Sequence, residues 1–196
     1  MDTTLKDELL AFLRQFPSLT PDEVQLLSDT IKVQFFKKGT ILVHEGTVCN
    51  KCHFVLKGCL RQYFILDGVE KTTQFYTEGQ AAALFTSLST QIKTESYLAC
   101  VEDSILIIGD PNEANEMYEK LPKLTQITRA MMEQGLGKMQ DAFSLFVASS
   151  PEERYLNVLK NNPNLLQRVP QHQLASYLGV TPESLSRIRK RIQKTT

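Results

Sequence analysis

The chain has 196 residues, of which 42% are apolar and 22% are charged, and its 22 basic side chains balance 22 acidic ones. This composition is typical of a soluble globular protein and excludes a fibrous or largely disordered chain. No stretch approaches the run of about 20 apolar residues that a membrane helix needs, and the N-terminus is charged where a signal peptide would be apolar. We therefore expect a cytoplasmic protein whose four cysteines are reduced.

The charges are unevenly distributed along the chain. Residues 1–110 hold 10 basic and 14 acidic side chains, residues 111–150 hold 4 and 5, and residues 151–196 hold 8 and 3. The C-terminal part is therefore the basic part of a neutral chain. Such a split indicates a basic module that binds a polyanion, joined to a neutral-to-acidic module with another function.

The first half of the chain predicts two short helices followed by a β unit. Apolar residues at helical spacing predict a helix over 4–16, and Thr20 followed by Pro21 predicts the start of a second. Between about 31 and 109 the pattern changes to short β-branched and aromatic runs divided by glycines. Asp67-Gly68 suits a two-residue hairpin turn, which requires positive φ angles. These features predict an antiparallel β-roll or sandwich.

The second half of the chain is predicted to be helical, with a short helix over 112–120 and a long one over 121–148. Ser150 followed by Pro151 predicts the start of a further helix. The long helix carries an apolar seam with the spacing 4, 3, 4, 3 of a coiled coil. This seam predicts a dimer interface, and an ordinary helix buried in its own chain is the alternative. The seam residues are Met132, Leu136, Met139, Phe143 and Phe146.

The segment "QHQLASYLGVTPESLSRIRK" at 171–190 fits the helix-turn-helix template. Small Ala175 lies where the two helices would cross, and Gly179 lies at the turn between them. In the second helix, Leu185 and Ile188 share one buried face, so the opposite face is polar and basic. A helix with such a face fits the major groove of B-DNA.

The polar face of this second helix divides into two predicted roles. Its first turn would lie closest to base edges, where Glu183 could accept from cytosine and Arg187 could pair with guanine. The later cations would contact phosphates, which adds affinity without sequence information. A helical hairpin with a solvated basic face is the alternative. The predicted DNA-binding residues are Thr181, Pro182, Glu183, Ser184, Arg187, Arg189, Lys190, Arg191 and Lys194.

These residues resemble the Crp/Fnr-type transcription regulators, the catabolite-activator-like family, in its short form. The resemblance is strongest in "VPQHQLASYLGVTPESLSRIRKR" at 169–191, "FVLKGCLRQYF" at 54–64 and "LACVEDSILII" at 98–108, and it extends over essentially the whole chain. It implies an α+β fold with a cyclic-nucleotide-binding-like β-roll, a long dimerisation helix and a helix-turn-helix domain. The expected units are a sensor domain with N-terminal helices at 1–110, linking and dimerisation helices at 111–149, and a DNA-binding domain at 150–196.

The resemblance is weakest where family members bind a cyclic nucleotide. The family pattern has a Gly-Glu pair for the ribose and an Arg-Ser pair for the cyclic phosphate, whereas this chain has Ala83-Leu84 and Thr94-Glu95. An acidic residue in the second pair would repel the phosphate. We therefore expect no cyclic-nucleotide binding and predict no cofactor. A pocket for another effector would involve Leu84, Phe85, Thr86, Ser87, Lys93, Thr94 and Glu95.

The pair Cys49 and Cys52, with Cys59 downstream, invites a metal or redox interpretation. One CxxC pair is a weak signal without two more ligands, so structural cysteines are the preferred interpretation and no metal site is predicted. The three histidines show no triad or ligand spacing, and the chain has no nucleotide-binding motif. We therefore expect no catalytic residues and no enzyme, with a Cys49/Cys52 oxidoreductase as a remote alternative.

The leading hypothesis is a homodimeric, sequence-specific, DNA-binding transcription regulator. Its partners would be double-stranded DNA and a second copy of the chain, with RNA polymerase and an unidentified small-molecule effector as further candidates, and no membrane. The alternative is a small-molecule or metal sensor module whose output is protein association, with the terminal helices as a docking hairpin.

Overall fold

The computed structural model describes residues 3–195, with side chains described as far as residue 193. In this part of the chain the helices are α1 (Thr3–Leu13), α2 (Pro21–Thr30), α3 (Phe85–Thr90), α4 (Pro111–Lys120), α5 (Pro122–Ala148), α6 (Pro151–Asn161), α7 (Leu165–Arg168), α8 (Gln171–Tyr177) and α9 (Pro182–Thr195). The strands are β1 (Val33–Phe36), β2 (Ile41–Val43), β3 (Cys52–Lys57), β4 (Leu60–Leu66), β5 (Val69–Tyr76), β6 (Ala81–Ala82), β7 (Tyr97–Cys100) and β8 (Ser104–Gly109).

The strands form antiparallel sheets that enclose a β-roll. One sheet has the order β1-β8-β3-β6 and the other the order β2-β7-β4-β5, so β5 is an edge strand. Asp67 and Gly68 form the predicted turn between β4 and β5, with φ angles of 52° and 74°. The predicted α+β fold, with an antiparallel roll followed by a long helix and terminal helices, is confirmed.

The interior of the roll is an apolar cluster contributed by both sheets, in which Val55, Leu60, Leu98 and Leu106 are fully buried. The chain approaches β8 closely at Gly58, between β3 and β4, which has a φ of +112°. A Cβ atom there would lie 2.3 Å from Oγ and 2.7 Å from Cα of Ser104. Both the backbone conformation and the available space therefore require glycine.

The predicted helix starts are formed by side-chain caps. Thr20 and Glu23 form a capping box at the start of α2, and Ser150 and Glu153 form another at the start of α6. Helices α1 and α2 pack with the beginning of α5 in a second apolar cluster around Leu9, Leu13, Leu27 and Leu121. No helix within residues 3–195 is long and apolar enough to cross a bilayer.

The C-terminal helices pack against the outer face of the β-roll. Leu165, Val169, Leu174, Leu178 and Leu185 form their shared core. The same cluster continues into the roll through Cys59, Phe75 and Val101. The helix-turn-helix unit is therefore attached both to the end of α5 and to the β-roll of its own chain.

A buried histidine on β3 should make folding sensitive to acid. His53 is 5% exposed, Nδ1 has no hydrogen-bond partner among the described residues, and burial lowers its pKa from 6.5 to about 4. The unfolded chain therefore takes up a proton near pH 6.5, before the folded chain does. We expect full stability above the unfolded pKa and a progressive loss towards pH 4, of up to about 3 kcal/mol.

Urea unfolding at about pH 5 and at about pH 7.5 measures this loss. The variant His53→Gln should lose less stability between these two conditions than the parent. The matched variant His44→Gln, at an exposed position, should lose as much as the parent. Equal losses in all three proteins would contradict the assignment to His53.

Candidate nucleic-acid interface

Helices α8 and α9 form a helix-turn-helix unit through the residues that the template predicts. Ala175, Leu178 and Leu185 are buried where the helices meet. Gly179 makes the turn with a φ of +72°, and a Cβ there would lie 3.0 Å from Nη1 of Arg154. The Thr181 hydroxyl then caps α9 by accepting from the backbone N–H of Ser184, at 3.2 Å.

The opposite face of α9 is open to solvent. Thr181, Pro182, Glu183, Arg187 and Lys190 are exposed, as the template requires of residues that enter a groove. Nη2 of Arg187 donates to Oγ of Ser184 at 3.2 Å, one turn earlier. Ser184 therefore restrains the guanidinium before any ligand is bound.

The exposed face of α9 carries a hydrogen-bond acceptor and a hydrogen-bond donor, the two kinds of group that base edges can pair with. Hydrogen bonds from its own backbone N–H and from the Thr181 side chain lower the pKa of Glu183, with a further contribution from the Arg187 charge. Glu183 is thus a carboxylate that only accepts, and Arg187 is a guanidinium that only donates. Together they present one acceptor group and one forked donor within a single helical turn.

The remaining predicted cations differ in their surroundings. Lys190 is exposed, whereas Arg189 is half-buried. Nη1 of Arg191 donates to Glu152 of α6 at 2.7 Å, so a phosphate would have to compete with this carboxylate. The side chain of Lys194 lies outside the described residues.

Three further residues lie beside the predicted set in the structure. Gln171, His172 and Ser186 line a surface groove together with Pro182 and Glu183. Gln171 comes from the first helix, and its Nε2 donates to the backbone oxygen of Pro182 at 3.5 Å. In the sequence, these positions are marked only by the polar residues that begin α8. Their closeness to α9 is known only once the two helices are seen to cross.

The predicted dimer seam lies exposed along α5, a helix of 27 residues and about 40 Å. The exposed fractions are 53% for Met132, 53% for Leu136, 54% for Met139, 69% for Phe143 and 42% for Phe146. The alternative interpretation, a helix buried within its own chain, does not describe this face. An apolar stripe of this length is typical of a surface that a partner covers.

Phe146 has a second contact that the seam pattern did not predict. The Arg154 guanidinium lies over the Phe146 ring, with Cζ 4.0 Å from the ring centroid. Arg154 also donates to the backbone oxygens of Ser149, at 3.1 Å, and Leu178, at 2.8 Å. Through these contacts, Arg154 connects the end of the long helix to the turn between α8 and α9.

The predicted ligand-pocket residues are held together by bonds within the protein. Ser87 accepts from the backbone N–H of Cys49 at 2.9 Å and donates to the backbone oxygen of Ile92 at 2.6 Å. The backbone of Thr94 exchanges hydrogen bonds with Gly46, at 2.8 Å, and Thr47, at 2.9 Å. The segment is therefore closed against the loop that follows β2.

The side chains of this segment do not fit a cyclic phosphate. Leu84 points into the apolar interior of the roll, whereas Phe85, Thr86, Lys93 and Glu95 are exposed. A cyclic phosphate needs a buried cation to offset its charge. The cation of the segment 81–101, Lys93, is exposed.

The four cysteines are free thiols. Burial raises the pKa of Cys52 to about 11 and that of Cys59 to about 12, so both stay protonated and are poor nucleophiles. Within residues 3–195 no group of three or more His, Cys, Asp or Glu side chains could hold a metal ion.

Comparison with known proteins finds low identity over nearly the whole chain. Electron transport regulator A of Shewanella oneidensis is 24% identical over 191 residues, which cover 91% of this chain and 76% of the relative. No family model matches the chain. The relatives found in this way are named as regulators.

Solved structures of low identity share the fold. FixK2 from Bradyrhizobium japonicum has a TM-score of 0.69 at 16% identity, covering 84% of this chain and 85% of that one. A transcriptional regulator of the crp/fnr family from Eubacterium rectale has a TM-score of 0.63 at 22% identity, covering 93% and 88%.

A β-roll, a long helix and a terminal helix-turn-helix unit, in this order, make up the fold that this chain shares with these solved structures. The comparisons also confirm the more particular resemblance predicted from the sequence. The chain is similar to a curated regulator at 24% identity and to a solved structure of the crp/fnr family at 22% identity.

Proposed function

We propose that this chain is a Crp/Fnr-type transcription regulator, a cytoplasmic homodimer that reads duplex DNA with α9. Regulators of the Crp/Fnr type bind DNA and act as dimers. The observation that carries the proposal is the two-sided character of α9: Leu185 and Ile188 are buried against α8, while Glu183 and Arg187 remain exposed. A second copy, joined along the α5 seam, would present two such helices to the half-sites of a palindrome.

The proposal assigns each part of the chain a task. Residues 1–110 form a sensor-like domain, residues 111–149 link and dimerise, and residues 150–196 bind DNA. In α9, Glu183 and Arg187 read base edges from the first turns, and Lys190 with its neighbouring cations binds phosphates. RNA polymerase and a small-molecule effector are further partners of this assignment.

The alternative of a sensor whose terminal helices dock a protein is less well supported. A solved structure with this fold is named as a transcriptional regulator. The exposed face of α9 is polar and basic, where a protein-docking helix would carry an apolar face.

A direct test measures binding to a pool of random duplexes across salt concentrations. The intact protein should bind with an affinity that falls steeply with salt, because the cations release counterions. A variant with Arg187, Arg189, Lys190 and Arg191 changed to glutamine should bind far more weakly. Equal affinities for the two proteins at low salt would refute the proposal.

Replacing Arg187 with alanine should reduce both affinity and specificity. The loss of a bidentate guanine contact costs about 1–3 kcal/mol, and the preference at one position of each half-site should relax. Lys190→Ala is the matched comparison, since it should weaken binding to all duplexes alike and lower the salt slope by about one. Competition binding with duplexes that differ at single positions distinguishes the two patterns. An unchanged base preference in Arg187→Ala would show that Arg187 does not read bases.

A further inference from the structure

One arginine joins the C-terminal helices to the β-roll through two carboxylates. Arg168, at the end of α7, makes a bidentate pair with Glu78, from Nη1 at 2.8 Å and from Nη2 at 2.7 Å. Its Nε donates to Glu102 at 3.0 Å. The guanidinium side chain is only 22% exposed, so these bonds are partly shielded from water. A planar fork that engages two carboxylates fixes orientation as well as distance.

The two carboxylates occupy particular places in the β-roll. Glu78 lies three residues before the segment 81–101, where the family places its ligand-binding residues, and Glu102 follows it directly. Glu78 is itself fixed, because it accepts from the backbone N–H of Gly58 at 2.8 Å. Arg168 therefore contacts residues that flank the segment 81–101 on both sides.

Helix α8 continues this contact along the edge of the second sheet. Oγ of Ser176 accepts from the backbone N–H of Thr72 at 2.8 Å and donates to the backbone oxygen of Glu70 at 3.1 Å. The rings of Tyr177 and Phe75 meet edge to face, with centroids 5.3 Å apart. The Thr72 amide is on an edge strand, so α8 supplies the partner that a neighbouring strand would otherwise provide.

This docking leaves the DNA-reading face free. Ser176 and Tyr177 face the sheet, while Glu183, Arg187 and Lys190 of α9 stay exposed. The contact therefore fixes the direction of the recognition helix without covering it.

We propose that Arg168 is a positioning residue, which holds α8 and α9 in one orientation on the β-roll and couples the segment 81–101 to the DNA-reading helix. The inference rests on the proposed DNA-binding function. Its physical basis is that two half-sites are bound together only when both recognition helices point correctly, whereas one half-site places no demand on their relative orientation.

The first test measures docking without DNA, by amide hydrogen exchange of the dimer. In Arg168→Gln the Thr72 amide should exchange at least about tenfold faster, because its partner on α8 is no longer held in place. The Val55 amide, which donates to Gln80 inside the roll, should keep the parent rate and so report an intact fold. An unchanged rate at Thr72 would overturn the proposal.

The second test compares a palindromic duplex enriched from a random pool with a duplex that carries one half-site. Arg168→Gln should bind the palindrome about tenfold more weakly and the half-site within about twofold of the parent. Arg168→Lys keeps the charge but cannot span both carboxylates. Its affinity for the palindrome should therefore lie between that of the parent and that of Arg168→Gln. Lys6→Gln is the control, because it removes an exposed Lys–Asp pair between α1 and α2, far from α5 and α9 in the chain, and should change neither affinity.

The outcomes separate this inference from the proposed function. If the parent binds neither duplex, the DNA-binding function fails, and the exchange rate at Thr72 still decides whether Arg168 holds the docked arrangement. If the Val55 amide also exchanges faster in Arg168→Gln, the roll itself is disturbed, and the variants Glu78→Gln and Glu102→Gln are used instead. Each of them should accelerate exchange at Thr72 and leave Val55 unchanged. If palindrome and half-site weaken equally, or neither weakens, Arg168 has no positioning role.

Discussion

Replacing Phe143 with glutamate is expected to convert the protein to a monomer. Phe143 is the most exposed member of the α5 seam, and its burial in a dimer would contribute about 1.5–3 kcal/mol for each copy. The variant loses this burial twice and places two carboxylates near the two-fold axis, where like charges repel. We expect the dissociation constant of the dimer to rise by at least about 1000-fold, which corresponds to about 4 kcal/mol.

Sedimentation equilibrium and binding to a palindromic duplex measure the two consequences of this change. Ser144→Glu is the matched control, because it introduces the same charge at the next position, on an exposed face outside the seam. This control should remain dimeric and bind the palindrome as the parent does. A dimeric Phe143→Glu protein would show that the α5 seam is not the interface.

Replacing Gly58 with alanine is expected to destabilise the β-roll by about 3–5 kcal/mol. Two costs combine: alanine is strained at a φ of +112°, and its Cβ would lie 2.3 Å from Oγ of Ser104. The neighbouring atoms include the Ser104 backbone, so a side-chain rotation alone cannot relieve the clash. The free energy of unfolding in urea measures the loss.

The variant Gly68→Ala separates these two costs. Gly68 has a φ of +74°, and nothing lies within 4 Å of the position its Cβ would take. Its replacement should therefore cost only the backbone strain, about 1–2 kcal/mol. Equal losses for the two variants would show that the close approach to Ser104 contributes nothing.

Local patterns in the sequence predicted the elements whose stability depends on nearby residues. The capping residues Thr20 and Ser150 begin their helices, and Asp67-Gly68 forms its hairpin turn. The terminal motif was equally predictable, because helix packing fixes the spacing of its apolar residues. The polar residues of α9 are then left on the exposed face. Turn chemistry, capping and periodicity all act over a few residues, which is why one sequence reveals them.

The contacts that join distant segments could not be predicted in the same way. Arg168 meets Glu78 across 90 positions and Glu102 across 66, and no local pattern marks such a pairing. The contact of Phe146 with Arg154 is similar, since the seam pattern indicated only that Phe146 is apolar. Short α3 and α7 also escaped prediction, because helices of four to six residues depend on tertiary packing more than on propensity.

The central claim, that a dimer reads DNA with two copies of α9, is tested most directly by selecting duplexes from a random pool with the intact protein and sequencing those that are retained. The account predicts an inverted repeat whose half-site centres lie about 10–10.5 base pairs apart, or a multiple of this distance. It also predicts that the guanine preference in each half disappears when Arg187→Ala is used for the selection. Retention of no duplex, or enrichment of a single site without two-fold symmetry, would contradict it.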